Sequence, residues 1–147
     1  MRKVRVSFRA IHYYRTLGGT EACPHSHTYT VDVECRGNCG EVERILRDVA
    51  NNLKGRLIND WEGLVYPEPT TENLALSVFS LLPEGKVARV SVKEDDTVLS
   101  VYDGESVWVV LIDDREDRTA RVGVKGEFNA MGFAADLGKL KEHVSDG

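Results

Sequence analysis

The chain has 147 residues, enough for one compact domain with a buried core and short for two. Its net charge of -5, from 19 basic and 24 acidic residues, supplies no overall basic field for nucleic acid or an acidic membrane. A hydrophobic content of 41% and a charged content of 29% are ordinary for a globular protein. No run approaches the length of a membrane span, and the N-terminus lacks the apolar stretch of a signal peptide, so a cytoplasmic location is expected.

Residues 2–12 alternate, with Val4, Val6, Phe8 and Ala10 on one face, which predicts a strand. Residues 15–24, containing Gly18-Gly19 and Pro24, read as a loop. Alternation returns over 25–36, where Thr, Tyr and Val favour β structure. The period then changes. Val42, Ile45, Leu46, Val49 and Leu53 mark a helix over 40–54, with Gly55 as its stop. A second, more apolar helix starts at Thr70 or Thr71, whose hydroxyl can cap it, with Glu72 favoured by the helix dipole in its first turn. Strands follow at 86–93 and 97–102, around Glu94-Asp95-Asp96, and again at 106–112 and 119–127. A short helix is expected over 135–144.

The three cysteines, Cys23, Cys35 and Cys39, are an odd number and do not suggest a disulfide framework. Cys35 and Cys39 lack the second pair that a tetrahedral metal site needs, and read as small structural residues.

The histidines carry the strongest chemical signal. Three of the four, His12, His25 and His27, fall within the first 27 residues. In a strand, His25 and His27 share a face, because side chains repeat every two residues. A neighbouring strand carrying His12 would complete a three-imidazole facet with an open fourth position, the arrangement of a catalytic zinc site. His143 reads as part of a solvated helix face, and Trp61 and Trp108 as packing residues. Arg9 and Arg15 lie near the histidine strand and could meet a triphosphate, or be plain strand-edge charge.

Four pieces, in order, resemble the 6-pyruvoyl-tetrahydropterin synthase and 6-carboxy-tetrahydropterin synthase family. They are Phe8-x-Ala10-x-His12, His25-x-His27-x-Tyr29, Pro69-Thr70-Thr71-Glu72-Asn73-Leu74-Ala75 and Val90-Ser91-Val92-Lys93-Glu94. The resemblance covers about residues 4–102. It implies an α+β tunnelling fold: an antiparallel sheet with two helices on one face, in a domain over 1–103. Residues 104–147 would add a C-terminal β-β-α extension. It further implies Zn2+ held by His12, His25 and His27, and a small-molecule pterin substrate. Glu94 would take the two N–H donors of the pterin's guanidine-like edge, with Thr70, Thr71 and Glu72 nearby. A homo-oligomer that pairs its sheet edges is expected, with neither nucleic acid nor membrane as partner.

The sequence departs from the family at the catalytic positions. Glu21 stands where a Cys is usual, four residues before His25, and Cys23 lies only two before it. Trp61, in Asp60-Trp61-Glu62-Gly63-Leu64, replaces a relay histidine and leaves Asp60 without it. A Glu at position 21 resembles a subgroup that cleaves the side chain of dihydroneopterin triphosphate. It makes Glu21 the candidate base, with Cys23 and Asp60 as further catalytic candidates. The leading expectation is a zinc-dependent lyase of that kind. The alternatives are a 6-carboxy-tetrahydropterin synthase using Cys23, and a non-catalytic pterin- or metal-binding oligomer.

Overall fold

The computed structural model describes residues 1–15, 22–113 and 118–125. Its strands form one antiparallel sheet in the order β1-β2-β3-β4-β5-β6, with sequence neighbours also neighbours in space at every step. These are β1 (Arg2–His12), β2 (His25–Cys35), β3 (Val87–Glu94), β4 (Val98–Tyr102), β5 (Ser106–Asp113) and β6 (Arg118–Lys125). Helices α1 (Gly40–Leu53) and α2 (Thr71–Leu81) fill the connection between β2 and β3. The architecture is α+β. The pairing of β4 with β5 carries the sheet past residue 103 without a break. The helix expected over 135–144, and His143 with it, lie outside the described residues.

One face of the sheet is apolar and packs on the helices. Val4, Phe8, Ala10, Tyr29, Val31, Val33, Val90 and Val92 point into a core shared with Val42, Leu46, Val49 and Leu53 of α1 and Leu74, Ala75 and Val78 of α2. The strand residues alternate as a half-buried strand must, and those of α1 recur at helical spacing. The other face carries charge on its first strands, including the Arg5–Asp32 pair at 2.7 Å and the Arg89–Glu34 pair at 2.9 Å. Trp61 packs against the core as expected, whereas Trp108 is 42% exposed.

Two local features aim the chain at the histidine end of the sheet. Gly55 has φ +69°, open to glycine and costly to most residues, which lets the chain leave α1 and run back beside β1. There Gly55 N–H donates to Arg9 O at 2.8 Å and Ile11 N–H donates to Arg56 O at 2.9 Å. A 3-10 turn follows over Ile58–Asp60. Its Asn59 side chain accepts from Tyr13 N–H at 3.1 Å and donates to Tyr13 O at 3.0 Å, fixing the chain just after His12.

The cysteine expectation is corrected. Cys35 and Cys39 form a disulfide, with Cα atoms 6.0 Å apart. The strand register shifts at Glu34/Cys35, and Gly37 turns the chain with φ +68°, which returns Cys39 to the end of β2 at the start of α1. Cys23 is free and exposed.

Candidate metal centre

The β1–β2 register places His12 directly opposite His25 and Ala10 opposite His27. The ligand atoms of His12, His25 and His27 all lie within 4.8 Å of one another. His12 is fully buried, and the other two are partly exposed.

Each imidazole is oriented through Nδ1. His25 Nδ1–H donates to Cys23 O at 2.7 Å, and His27 Nδ1–H to Asp95 Oδ2 at 2.6 Å. His12 Nδ1–H is shared between Tyr29 Oη at 2.8 Å and Pro69 O at 3.2 Å. A carbonyl or carboxylate oxygen only accepts, so the proton sits on Nδ1 in every case. Each neutral ring then offers its Nε2 lone pair to the centre. The Nε2 atoms of His12 and His25 are 3.0 Å apart with no proton between them, an arrangement that repels unless a cation lies there. The residues therefore fit a metal ion, and an all-imidazole set suits zinc and its neighbours in the transition series. The Asp95–His27 contact is the carboxylate–histidine pairing that fixes a metal ligand's tautomer. Partial burial opposes the charge of Asp95, but Thr28 N–H, then His27, outweigh it and hold its pKa below the usual value.

Two glutamates lie close by. Glu94 ends β3 opposite Tyr29, is buried, and accepts from Tyr29 Oη–H at 3.4 Å. Its Oε1 lies 3.4 Å from His12 Nε2 and 3.6 Å from His27 Nε2. Glu72, in the first turn of α2, is fully buried, and neither of its carboxylate oxygens has a hydrogen-bond partner. Burial pushes its pKa up to about 7, and the charge of Glu94 adds to that. Its own amide and the Thr70 and Thr71 hydroxyls, too poorly placed to bond it, pull the other way. Thr70 caps α2 by accepting from Asn73 N–H at 3.2 Å, as expected. Thr71 Oγ1 and Ser100 Oγ share a hydrogen bond of 2.6 Å.

The three expected catalytic residues fare differently. Glu21 lies outside the described residues. Cys23 enters the site through its backbone carbonyl, while its side chain is exposed. Asp60 is exposed at the end of the 3-10 turn, and it is Asn59 that reaches the histidine strand. Arg9 donates to Ser26 Oγ at 2.8 Å on the charged face. Sequence reasoning missed Tyr29 and Asp95. Tyr29 had a signal, since it shares strand parity with His25 and His27.

An antiparallel sheet that gathers three imidazoles and two buried carboxylates at one end of its first strands, backed by two helices, defines an α+β protein organised round a metal-type centre. The chain belongs to the 6-pyruvoyl tetrahydropterin synthase family, whose sequence profile matches residues 2–105. That span holds β1 to β4, both helices and every site residue described above; β5 and β6 lie beyond it. A comparison with curated proteins gave no match. Among the described residues, no helix is long and apolar enough to cross a membrane.

Proposed function

We propose that the protein is a zinc-dependent lyase acting on the side chain of a reduced pterin, with dihydroneopterin triphosphate as substrate. The observation that carries this reading is the unpaired, buried carboxylate of Glu72 beside Glu94, which itself touches the histidine cluster. A buried carboxylate without donors is costly unless a ligand supplies them. The guanidine-like edge of a pterin offers two parallel N–H groups, the pattern a carboxylate accepts best. Of the two glutamates that the resemblance puts at the substrate, Glu72 is the one whose oxygens have no hydrogen-bond donor. Glu94 faces the histidines. The side chain of a pterin held at Glu72 would extend toward His12, His25 and His27.

Bound zinc would supply Lewis acidity, making a side-chain hydroxyl easier to deprotonate. The protein's own residues do the rest. Glu72 anchors the ring, and Tyr29, Pro69 O, Cys23 O and Asp95 keep the three rings aimed. Glu21 serves as the base that takes the 2′-hydroxyl proton. The C1′–C2′ bond then breaks, its electron pair passes to the ring imine, and a proton returns at C1′. The products are a 6-hydroxymethyl pterin and a triphosphorylated aldehyde. The same reading makes the chain a homo-oligomer. Among the described residues β1 and β6 are the outermost strands, and sheet edges favour pairing with another copy.

The test is to incubate zinc-loaded protein with dihydroneopterin triphosphate and identify the pterin product. The expected product is the 6-hydroxymethyl pterin. A 6-carboxy product would move the activity to the synthase alternative, and no turnover at full metal loading would leave a binding protein.

A further inference from the structure

The expected centre has three ligands and an open fourth position. The geometry points to something different, and the inference rests on the metal reading above: we propose that Glu94 is a fourth, internal metal ligand that closes the site when no substrate is bound.

The spacing carries the argument. Four donors at about 2.0–2.1 Å from a tetrahedral zinc lie roughly 3.3 Å from one another. His12 Nε2 is 3.0 Å from His25 Nε2, and Glu94 Oε1 is 3.4 Å from His12 Nε2 and 3.6 Å from His27 Nε2. These three separations are close to the edge length of such a coordination shell. The alternative account of the short Glu94 contacts is an ion pair to a protonated imidazole. It needs a proton on Nε2, while the acceptor-only oxygens of Pro69, Cys23 and Asp95 already fix one on each Nδ1. Glu94 would then have to face doubly protonated rings, one of them fully buried in His12. Three lone pairs within 4.8 Å of one another, with a carboxylate oxygen 3.4 and 3.6 Å from two of them, are instead drawn together by one cation.

The backbone makes this arrangement durable. Glu94 is paired on both sides, with Tyr29 of β2 and Val98 of β4, so its Cα is fixed relative to the strand that carries His25 and His27. The next residue, Asp95, has φ +48° and extends the contact with β2 through Asp95 N–H to Thr28 O at 2.8 Å. Consecutive carboxylates thus serve one centre, Glu94 directly and Asp95 through His27. A closed four-ligand site would bind metal more tightly than an open one. A substrate oxygen would have to compete with Glu94 for its place.

Metal binding, rather than turnover, tests this. Wild type and Glu94→Gln are titrated with zinc against a chromophoric chelator, and the visible spectra of the cobalt-substituted proteins are followed with pH and with added azide. Glu94→Gln is expected to bind zinc at least tenfold more weakly. Its cobalt spectrum should change between pH 6 and 9 and on azide addition, because a water in the vacated position ionises near pH 7. The wild-type spectrum should respond little to either. Equal zinc affinity and equal spectral response in the two proteins would overturn the proposal while leaving the three-histidine site intact. A wild type that binds no metal would overturn the metal reading itself. Glu94→Asp, which keeps the charge but shortens the reach, guards against a folding defect: it should weaken zinc as Glu94→Gln does. Wild-type affinity in it would contradict direct ligation.

Discussion

His12 and His25 are opposed across the β1–β2 ladder, and their Nε2 atoms lie 3.0 Å apart with both Nδ1 protons committed elsewhere. Two lone pairs at that distance are a poor contact and half of a good metal site. The sheet register therefore creates the site, and the surrounding carbonyls and carboxylates fix its protonation.

Asp95 tests the orienting contacts. Asp95→Asn keeps a residue that tolerates positive φ but leaves one acceptor for two donors, His27 Nδ1–H and Thr28 N–H. Zinc affinity is expected to fall about 10- to 100-fold, as for other lost supports of a metal ligand. Isothermal titration would measure it. An unchanged affinity would mean that the His27 tautomer needs no such support.

Glu72 should make stability depend on pH. Its folded pKa, near 7, lies above the unfolded value of a glutamate, so the native state holds the proton more tightly. Stability from this group is complete below about pH 4.5 and lost as pH rises through about 7. A shift of this size corresponds to on the order of 3 kcal/mol. Denaturant unfolding of wild type and Glu72→Gln across pH 4 to 8 isolates it. The difference between them should grow with pH in favour of the Gln variant; a flat difference would show that Glu72 is solvated.

The same group should govern ligand binding. Pterin affinity is expected to rise with pH through about 7, as Glu72 becomes a better acceptor. Glu72→Gln should weaken pterin binding roughly 10- to 100-fold, the worth of a charged hydrogen bond, while zinc still binds at one per chain. Fluorescence titration with a reduced pterin would read both, and a pH-independent affinity equal in the two proteins would remove Glu72 from the binding site.

The Cys35–Cys39 bridge closes a short loop far along β2 from the histidines. Loop-closure entropy for so few residues is worth about 2 kcal/mol. Reductant should lower the melting temperature of wild type and leave a Cys35→Ser/Cys39→Ser protein unaffected. Zinc binding should not change in either.

Much of the fold was legible because its periods are clean. The alternation through β1 and β2 and the α1 stripe of Val42, Leu46, Val49 and Leu53 gave element type and bounds within a residue or two. The histidine triad was legible through the parity of His25 and His27. The facing of His12 and His25 was not, because register is set by the connecting loop rather than by residue type. The supports of the rings were also hidden. Cys23 and Pro69 act through backbone carbonyls, which any residue would offer. The disulfide was missed because a Cys pair four apart says nothing of the turn at Gly37 that brings it together. Asp60 drew attention by its motif, yet its neighbour Asn59 makes the contact.

The most direct test of the central claim is the zinc stoichiometry of purified wild type and of His25→Ala. The proposed reading predicts one tightly held zinc per wild-type chain and loss of that binding, at least about 100-fold in affinity, once one of the converging imidazoles is gone. Full, tight zinc binding in His25→Ala would contradict the account.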